Sequence, residues 1–197
     1  MTASFATVCC YATNMRAFLG ALLALGCAAA AYAQLFRDDQ GVMHDPFQTP
    51  AQARVFLFVR TDCPISNRYA PELARLAAEF QPRSVDFWLV YSDRSVQPAS
   101  VTQQISDYHL PGTPLLDPDQ QLARRAQASV SPQAAVFDHA GHLLYSGRID
   151  DRFVDFGKTR AAPSTHDLED AVTAALDHKP VAHPRTRAVG CFLADVK

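Results

Sequence analysis

A single cysteine stands where an apolar run gives way to a helical pattern. The run Val55–Val59 predicts a buried strand, and Cys63 and Pro64 follow it at the start of the next element. Pro64 suits the first position of a helix, where its missing N–H leaves no hydrogen bond unmade. The free N–H groups at a helix start favour a thiolate, which is the form that attacks disulfides and peroxides. The position therefore predicts a reactive thiol at Cys63, with a small buried core residue as the alternative.

The first 33 residues have the pattern of a secretory signal peptide. From Met15, one arginine precedes a short apolar core that ends in an A-x-A site at Ala31–Ala33. We expect translation from Met15, cleavage before Gln34 and export, most simply to the periplasm. Cleavage before Cys27 would instead produce a lipoprotein, and this alternative ranks second.

Removal of this leader reduces the number of cysteines that could form a disulfide or a redox pair. The full chain has five cysteines, of which only Cys63 and Cys191 remain after cleavage. In an oxidising compartment two such thiols form either a static bridge or a working redox pair. They lie 128 positions apart, so their spacing does not show whether they meet. Cys191 is therefore a resolving thiol, part of a structural disulfide, or uninvolved.

Composition excludes several classes of function. The net charge of −2 argues against a nucleic-acid surface. After the leader, no apolar run is long enough to span a membrane. The seven histidines show no paired metal spacing, and the aromatic residues fall at strand spacing. We therefore expect no cofactor and no resident metal.

The rest of the chain alternates between strand and helix patterns. We expect an N-terminal arm over 34–50, one domain over 51–178 and a tail over 179–197. The strands are predicted at Val55–Val59, Val85–Tyr91, Ala134–Phe137 and His142–Ser146. The helices are predicted at Asn67–Phe80 with a kink at Pro71, at Pro98–Tyr108, at 118–128 capped by Asp117, and at Thr165–His178 capped by Ser164.

This order of elements resembles the thioredoxin fold, in its redoxin or thiol-peroxidase-like (AhpC/TSA-type) branch, over roughly 51–178. The segment from Cys63 to Ser66 stands in place of the C-x-x-C motif, with Ser66 replacing the second cysteine. Ser131-Pro132 is similar to the family's cis-proline, which faces the active thiol and helps bind partners. The ten residues from Cys63 to Glu72 are similar to a segment of exported redoxin-domain proteins.

The resemblance implies an α/β fold with a mixed central sheet and flanking helices. It also implies an exported thiol–disulfide oxidoreductase or a peroxiredoxin-like antioxidant protein. Because Ser66 is not a cysteine, release of a mixed disulfide requires Cys191, an external thiol or another subunit. Peroxiredoxins carry a threonine three residues before the reactive cysteine; here Arg60 takes that place and Thr61 follows. The candidate catalytic residues are Cys63, Cys191, Pro132 and Arg148, and the candidate binding residues are Thr61, Pro64, Ser66 and Ser131.

The expected partners are a thiol or disulfide protein or a small peroxide, with an external reductant. Two alternatives remain open. One is a metal-handling protein akin to Sco-type copper chaperones, with Cys63, Cys191 and His183 as a soft site. The other is a redox-inactive binding module in which the two thiols are locked in a structural disulfide.

Overall fold

The computed structural model describes residues 34–193. The predicted signal peptide, the start at Met15 and the alternative lipid site at Cys27 lie outside the described residues. Within 34–193, no helix has both the length and the apolar character needed to cross a bilayer.

A seven-stranded mixed sheet forms the centre of the protein, and two small two-stranded sheets flank it. The strands of the described chain are β1 (Phe36–Arg37), β2 (Met43–His44), β3 (Ala53–Phe58), β4 (Val85–Tyr91), β5 (Thr113–Leu116), β6 (Val130–Ser131), β7 (Gln133–Asp138), β8 (Leu143–Gly147), β9 (Phe153–Asp155), β10 (Lys158–Thr159) and β11 (Cys191–Phe192). The helices are α1 (Pro64–Arg68), α2 (Ala70–Phe80), α3 (Pro98–Tyr108), α4 (Gln121–Ala126) and α5 (Asp167–Leu176), with a 3-10 turn at Gln81–Arg83.

The central sheet has the order β2-β1-β5-β4-β3-β7-β8. Strand β3 pairs in parallel with β4, and β4 in parallel with β5, whereas β7 and β8 are antiparallel additions. Because β3 and β4 are parallel, the chain crosses from one to the other through α1 and α2. The predicted α/β class and mixed sheet are therefore confirmed.

Strand β3 is buried along its whole length, as its continuous apolar pattern predicts. Its alternate side chains enter two separate cores because successive residues of a strand point to opposite faces. Val55 and Leu57 pack with side chains of α2 and α5, whereas Phe56 and Phe58 pack on the face that α4 covers. Helices on both faces hold β3 rigidly, so the loop that follows its carboxyl end has a fixed position.

The predicted helix Asn67–Phe80 is two helices rather than one kinked helix. Helix α1 begins already at Pro64 and ends at Arg68, and α2 starts at Ala70 after a break at Tyr69. Pro71 lies in the first turn of α2, where a proline needs no N–H partner. The proline therefore starts a new helix instead of bending an existing one.

The helix predicted from 118 is wrong at its start, because α4 begins only at Gln121. Asp117 does accept hydrogen bonds from the N–H groups of Gln121 and Ala123, at 2.7 and 3.0 Å. The intervening Gln120 is left-handed, with φ 57°, so the chain turns there before the helix starts. Strand β5, which has only four residues, was not predicted.

The predicted capping of the last helix by Ser164 is also wrong. The N–H and hydroxyl of Ser164 both bond to the buried carboxylate of Asp151, and the helix begins three residues later at Asp167. Here a tertiary hydrogen bond replaces the local cap that the sequence pattern predicts.

The segments on either side of the predicted domain both pair with its strands. In the arm, β1 and β2 form a hairpin that joins the sheet through Arg37 opposite Leu116. In the tail, β11 pairs antiparallel with β6. The tail thus lies against the segment that carries Ser131 and Pro132.

Candidate active site

Cys63 lies just beyond the carboxyl end of β3, in the centre of the sheet. It is the residue that precedes α1, its backbone is extended, and Pro64 occupies the first turn of the helix. Rigid elements on both sides therefore fix the direction of its side chain. The side chain is completely buried, at 0% exposure.

The segment that faces Cys63 is the loop before β7. The peptide bond between Ser131 and Pro132 is cis. The Cys63 thiol donates to the Ser131 carbonyl oxygen, with the sulfur 3.1 Å from that oxygen. The hydroxyls of Ser66 and Ser131 are hydrogen-bonded at 2.7 Å, and both residues are buried. Four of the residues named from the sequence are thus in one cluster, which consists of Cys63, Ser66, Ser131 and Pro132.

The tail brings the second sulfur to this cluster. Cys191 is directly opposite Ser131 in the β6–β11 pair, and the N–H of Leu193 bonds to the carbonyl of Ser129 at 2.9 Å. The Cys191 thiol points towards Cys63, and the two sulfurs are 2.9 Å apart. Both cysteines are free thiols, Cys63 buried and Cys191 partly exposed.

Hydrogen bonds upstream and one close backbone contact next to Cys191 hold the tail in this path. Upstream, the N–H of Ser146 donates to the carbonyl of Pro184 at 3.0 Å, and the hydroxyls of Thr186 and Tyr145 are hydrogen-bonded at 2.6 Å. Downstream, Gly190 stacks on the Ser131 peptide so closely that a Cβ there would lie 2.0 Å from the Ser131 oxygen. The absence of a side chain at 190 is therefore what lets Cys191 reach its position.

The two sulfurs differ in acidity. Burial raises the pKa of Cys63, but the Cys191 thiol, the N–H groups of Ser66 and Cys191 and the Ser66 hydroxyl together lower it below its ordinary value. Burial raises the pKa of Cys191 to about 11, helped by its hydrogen bond to Cys63 and the nearby charges of Cys63 and Asp62, although Arg60 opposes this. The Ser131 carbonyl acts against ionisation of Cys63, because a carbonyl accepts only from the protonated thiol. The net asymmetry makes Cys63 the more acidic thiol of the pair and the first to ionise, whereas Cys191 holds its proton more tightly.

A model of the AhpC/TSA family matches residues 37–146, more than half of the chain. The chain belongs to the AhpC/TSA family. The predicted resemblance is thereby confirmed. The match includes Cys63 and Pro132 but ends before the β9–β10 hairpin and the tail with Cys191. No curated protein matches the sequence.

Solved structures share the thioredoxin-like fold of this AhpC/TSA protein. An uncharacterized conserved protein from Geobacillus kaustophilus is 22% identical, with a TM-score of 0.69 over 82% of this chain and 88% of the other. A hypothetical protein from Sinorhizobium meliloti is 21% identical, with a TM-score of 0.68 over 81% and 89%. A secreted Mycobacterium tuberculosis disulfide oxidoreductase homologous to E. coli DsbE is 18% identical, with a TM-score of 0.51 over 74% and 96%. At these identities the likeness concerns the fold.

Arg148 of this AhpC/TSA chain is paired with residues at the start of α5. Its guanidinium donates to both carboxylate oxygens of Asp167, at 2.9 and 3.3 Å, and to the hydroxyl of Thr165. Asp167 is the first residue of α5, so the ion pair joins β8 to that helix. The contacts of Arg148 thus give no support to the expectation that it serves the thiol.

Thr61 and Pro64 lie on different sides of the cysteine. Thr61 lines a polar cavity of about 170 Å³ together with Arg60, Asp93 and neighbouring residues. Arg60 pairs there with Asp62 and Asp93 and also donates to the Phe192 carbonyl at 3.4 Å, so it ties the tail to this loop.

One cluster in the described chain brings together three potential metal ligands. The ligand atoms of Glu72, His166 and Glu169 lie within 4.8 Å of one another. The guanidinium of Arg75 already bonds to both glutamates, so a cation occupies the position that a metal would take. The expectation of no metal site concerned the whole chain and stays a prediction.

Sequence reasoning missed Gly190 and the hairpin that lies beside the sulfur pair. The hairpin consists of β9 and β10, and its Phe156 is 63% exposed. The glycine next to Cys191 was a possible signal, because a glycine allows close approach of two backbones.

Proposed function

We propose that this protein is a thiol–disulfide oxidoreductase whose working pair is Cys63 and Cys191. The observation that carries this proposal is the contact between the two sulfurs, 2.9 Å apart beside the cis Ser131–Pro132 peptide. A disulfide needs its sulfurs about 2.05 Å apart, so a small adjustment of the tail is enough to form the bond. Membership of the AhpC/TSA family supports a redox role for Cys63.

The pair supports a two-electron cycle. In the dithiol, Cys63 is the nucleophile because it ionises first, and Cys191 is the resolving thiol. When the Cys63–Cys191 bond forms, the two thiols lose two electrons and two protons, and a partner disulfide that receives them becomes two thiols. The reverse direction oxidises a partner dithiol.

Peroxide is the second candidate substrate, favoured by the family match. The Cys63 thiolate would take the distal oxygen of the peroxide to become a sulfenic acid and release an alcohol or water. The Cys191 thiol would then condense with the sulfenic acid and release water, forming the same disulfide. Because Cys63 is completely buried, this route requires a small peroxide to pass the tail.

The two alternative functions considered from the sequence require different behaviour of Cys63 and Cys191. A copper-handling protein would use soft thiolate ligands, and His183 is exposed in the tail. In residues 34–193 no histidine or carboxylate joins the two sulfurs in a compact group of three ligands. A redox-inactive module would hold the disulfide permanently closed, beyond the reach of cellular reductants.

We also propose that the chain works after export, because residues 1–33 have the pattern of a signal peptide and disulfides form and persist in oxidising compartments. The N-terminal sequence of the protein recovered from its native host tests this directly. A mature terminus at Gln34 supports a periplasmic protein, one at Cys27 supports a lipoprotein, and an uncleaved leader contradicts export.

The decisive experiment equilibrates the purified protein with glutathione buffers of graded potential and counts free thiols by mass after alkylation. We expect two thiols to disappear together in one two-electron transition, and neither Cys63→Ser nor Cys191→Ser to show it. Hydrogen peroxide added to the Cys191→Ser variant then separates the substrates, since a trapped sulfenic acid at Cys63 identifies peroxide.

Two results would count against the proposal. If the thiols stay free at every potential, or if the bond resists reduction until the protein unfolds, the pair is not a working one. Tight binding of Cu(I) that requires both cysteines, without redox exchange, would instead support the copper-handling alternative.

A further inference from the structure

The two sulfurs of the pair are not equally open to a partner. Cys63 is completely buried, whereas Cys191 is partly exposed. The tail also occupies the edge of β6, where Cys191 and Phe192 pair with Ser131 and Val130. While the tail is in place, an incoming thiol therefore meets Cys191 first and cannot add a strand to β6.

Cys191 forms part of the wall of a groove of about 240 Å³. On one side the groove is lined by Pro64, Ile65 and Arg68 of α1, and on the other by Phe153 and Phe156 of the hairpin. The base of the hairpin is anchored, because the Phe153 ring packs against the Tyr69 ring at 5.1 Å between centroids. We call this site the hairpin groove.

The hairpin groove has the size and chemistry of a subsite for one or two apolar side chains. Its volume is below that of typical cofactor and drug pockets, which hold about 300–1,000 Å³. Phe156 is 63% exposed, although exposing a large aromatic ring to water is unfavourable. A small peroxide has no surface to bury there, whereas a polypeptide with an apolar residue near its cysteine does.

We propose that the hairpin groove binds a polypeptide partner through a large apolar side chain next to the partner's cysteine, and that this cysteine exchanges with Cys191. This inference rests on the proposed function, since it requires the Cys63–Cys191 disulfide to form. It assigns a polypeptide rather than a peroxide as the substrate of that exchange.

The exchange has two steps, and each forms one sulfur–sulfur bond and breaks another. The partner thiolate forms a bond to the Cys191 sulfur, the Cys63–Cys191 bond breaks, and its electron pair leaves on Cys63 as a thiolate. A second thiol of the partner then attacks the partner's own sulfur in the mixed disulfide and releases Cys191, which takes up a proton. Cys63, the more acidic thiol, is thus the leaving group of this exchange, and its thiolate reverses the first step by attacking the mixed disulfide at Cys191 and releasing the partner thiolate.

The test uses the oxidised protein and three thiols: glutathione and two synthetic peptides with one cysteine, matched in length and charge. In one peptide leucines flank the cysteine, and in the other serines do. Acid-quenched samples give the rate of each reaction by mass, and peptide mapping gives the cysteine that carries the adduct. We expect the leucine peptide to react about tenfold faster than the serine peptide, with its early adduct on Cys191.

Two variants test whether the hairpin groove causes the faster reaction of the leucine peptide. Phe156→Ser should reduce the leucine-to-serine ratio to within about twofold, because it removes the exposed wall of the groove. Val154→Ser is the matched control, since Val154 is 40% exposed on the same hairpin but does not line the groove. Using the ratio within each variant cancels any general change in the reactivity of the disulfide.

The outcomes separate this inference from the proposed function. If glutathione fails to open the disulfide, the proposed function fails. If glutathione reacts but the two peptides react equally, if Phe156→Ser keeps the ratio, or if the early adduct lies on Cys63, the hairpin groove has no such role.

Discussion

The substitution Gly190→Ala tests how the close packing of the tail against Ser131 affects the Cys63–Cys191 pair. In the folded protein, a Cβ at this position would lie 2.0 Å from the Ser131 oxygen and 2.6 Å from the Ser131 carbonyl carbon. Real Cβ contacts do not fall below 3.0 Å, so the tail must move outward by about 1 Å. Both atoms belong to the backbone of a buried loop, which cannot move aside as a flexible side chain would.

The steric clash destabilises the disulfide form more than the dithiol form. In the dithiol the tail can lift from β6 and relieve the clash, whereas in the disulfide the bond to Cys63 holds it down. Overpacking of this kind costs about 1–3 kcal/mol. For a two-electron couple this destabilisation raises the reduction potential by about 20–60 mV. The alanine variant should therefore be easier to reduce than the natural protein.

The assay is a glutathione redox titration with thiols counted by mass, combined with the alkylation rate of Cys63 in the reduced protein. We expect the higher potential together with faster alkylation, because the lifted tail uncovers Cys63. Ala182→Ser, an exposed change in the same tail, is the control and should alter neither quantity. An unchanged potential and an unchanged alkylation rate in Gly190→Ala would refute the role assigned to the close approach of Gly190 to Ser131.

Three further changes test individual interactions. Ser66→Ala removes a hydroxyl that, after the Cys191 thiol and two backbone N–H groups, helps to lower the pKa of Cys63, so we expect that pKa to rise in a titration of thiolate absorbance; no rise would contradict the assignment. The pKa of Asp151 is lowered to about 2, mainly by its hydrogen bond to the Ser164 hydroxyl, so its stabilisation is present above the ordinary value of 3.8 and is lost as pH falls towards 2. Asp151→Asn should therefore lower the free energy of unfolding by about 1–2 kcal/mol at pH 7, with a difference in urea midpoints that shrinks below about pH 4; a difference that does not depend on pH would count against this. Tyr69→Phe should cost about 1–3 kcal/mol in urea unfolding, because the buried Asp150 carboxylate loses the hydroxyl that donates to it at 2.5 Å; a neutral change would show that water replaces that donor.

Local pattern was sufficient to predict the limits of two of the elements. The limits of β4 (Val85–Tyr91) and α3 (Pro98–Tyr108) coincide with the predicted ones. These elements depend on the periodicity of their own side chains and on prolines at their starts, which are properties of neighbouring residues. The predictions failed where a distant partner intervened, as when Asp151 takes the hydrogen bonds of Ser164 that were expected to start α5.

The candidate site also contains residues that the sequence predicts and contacts that it does not. Pro64 was found from its position after the strand and Cys63, whereas Ser66 and the Ser131–Pro132 segment were found from the family resemblance. Arg148 forms an ion pair with Asp167 of α5, 19 residues along the chain, and no local pattern predicts that partner; a role of Arg148 towards the thiol stays a prediction.

The sequence by itself determined that Cys63 stands between a buried strand and a helix, because a strand pattern, a cysteine and a helix-starting proline follow one another along the chain. Only the tertiary structure decided that the thiol has a partner. Cys191 is 128 residues away, and what brings it within 2.9 Å is the pairing of β11 with β6 and the missing side chain of Gly190. Such contacts between distant segments form through the packing of the whole fold, so no local pattern encodes them.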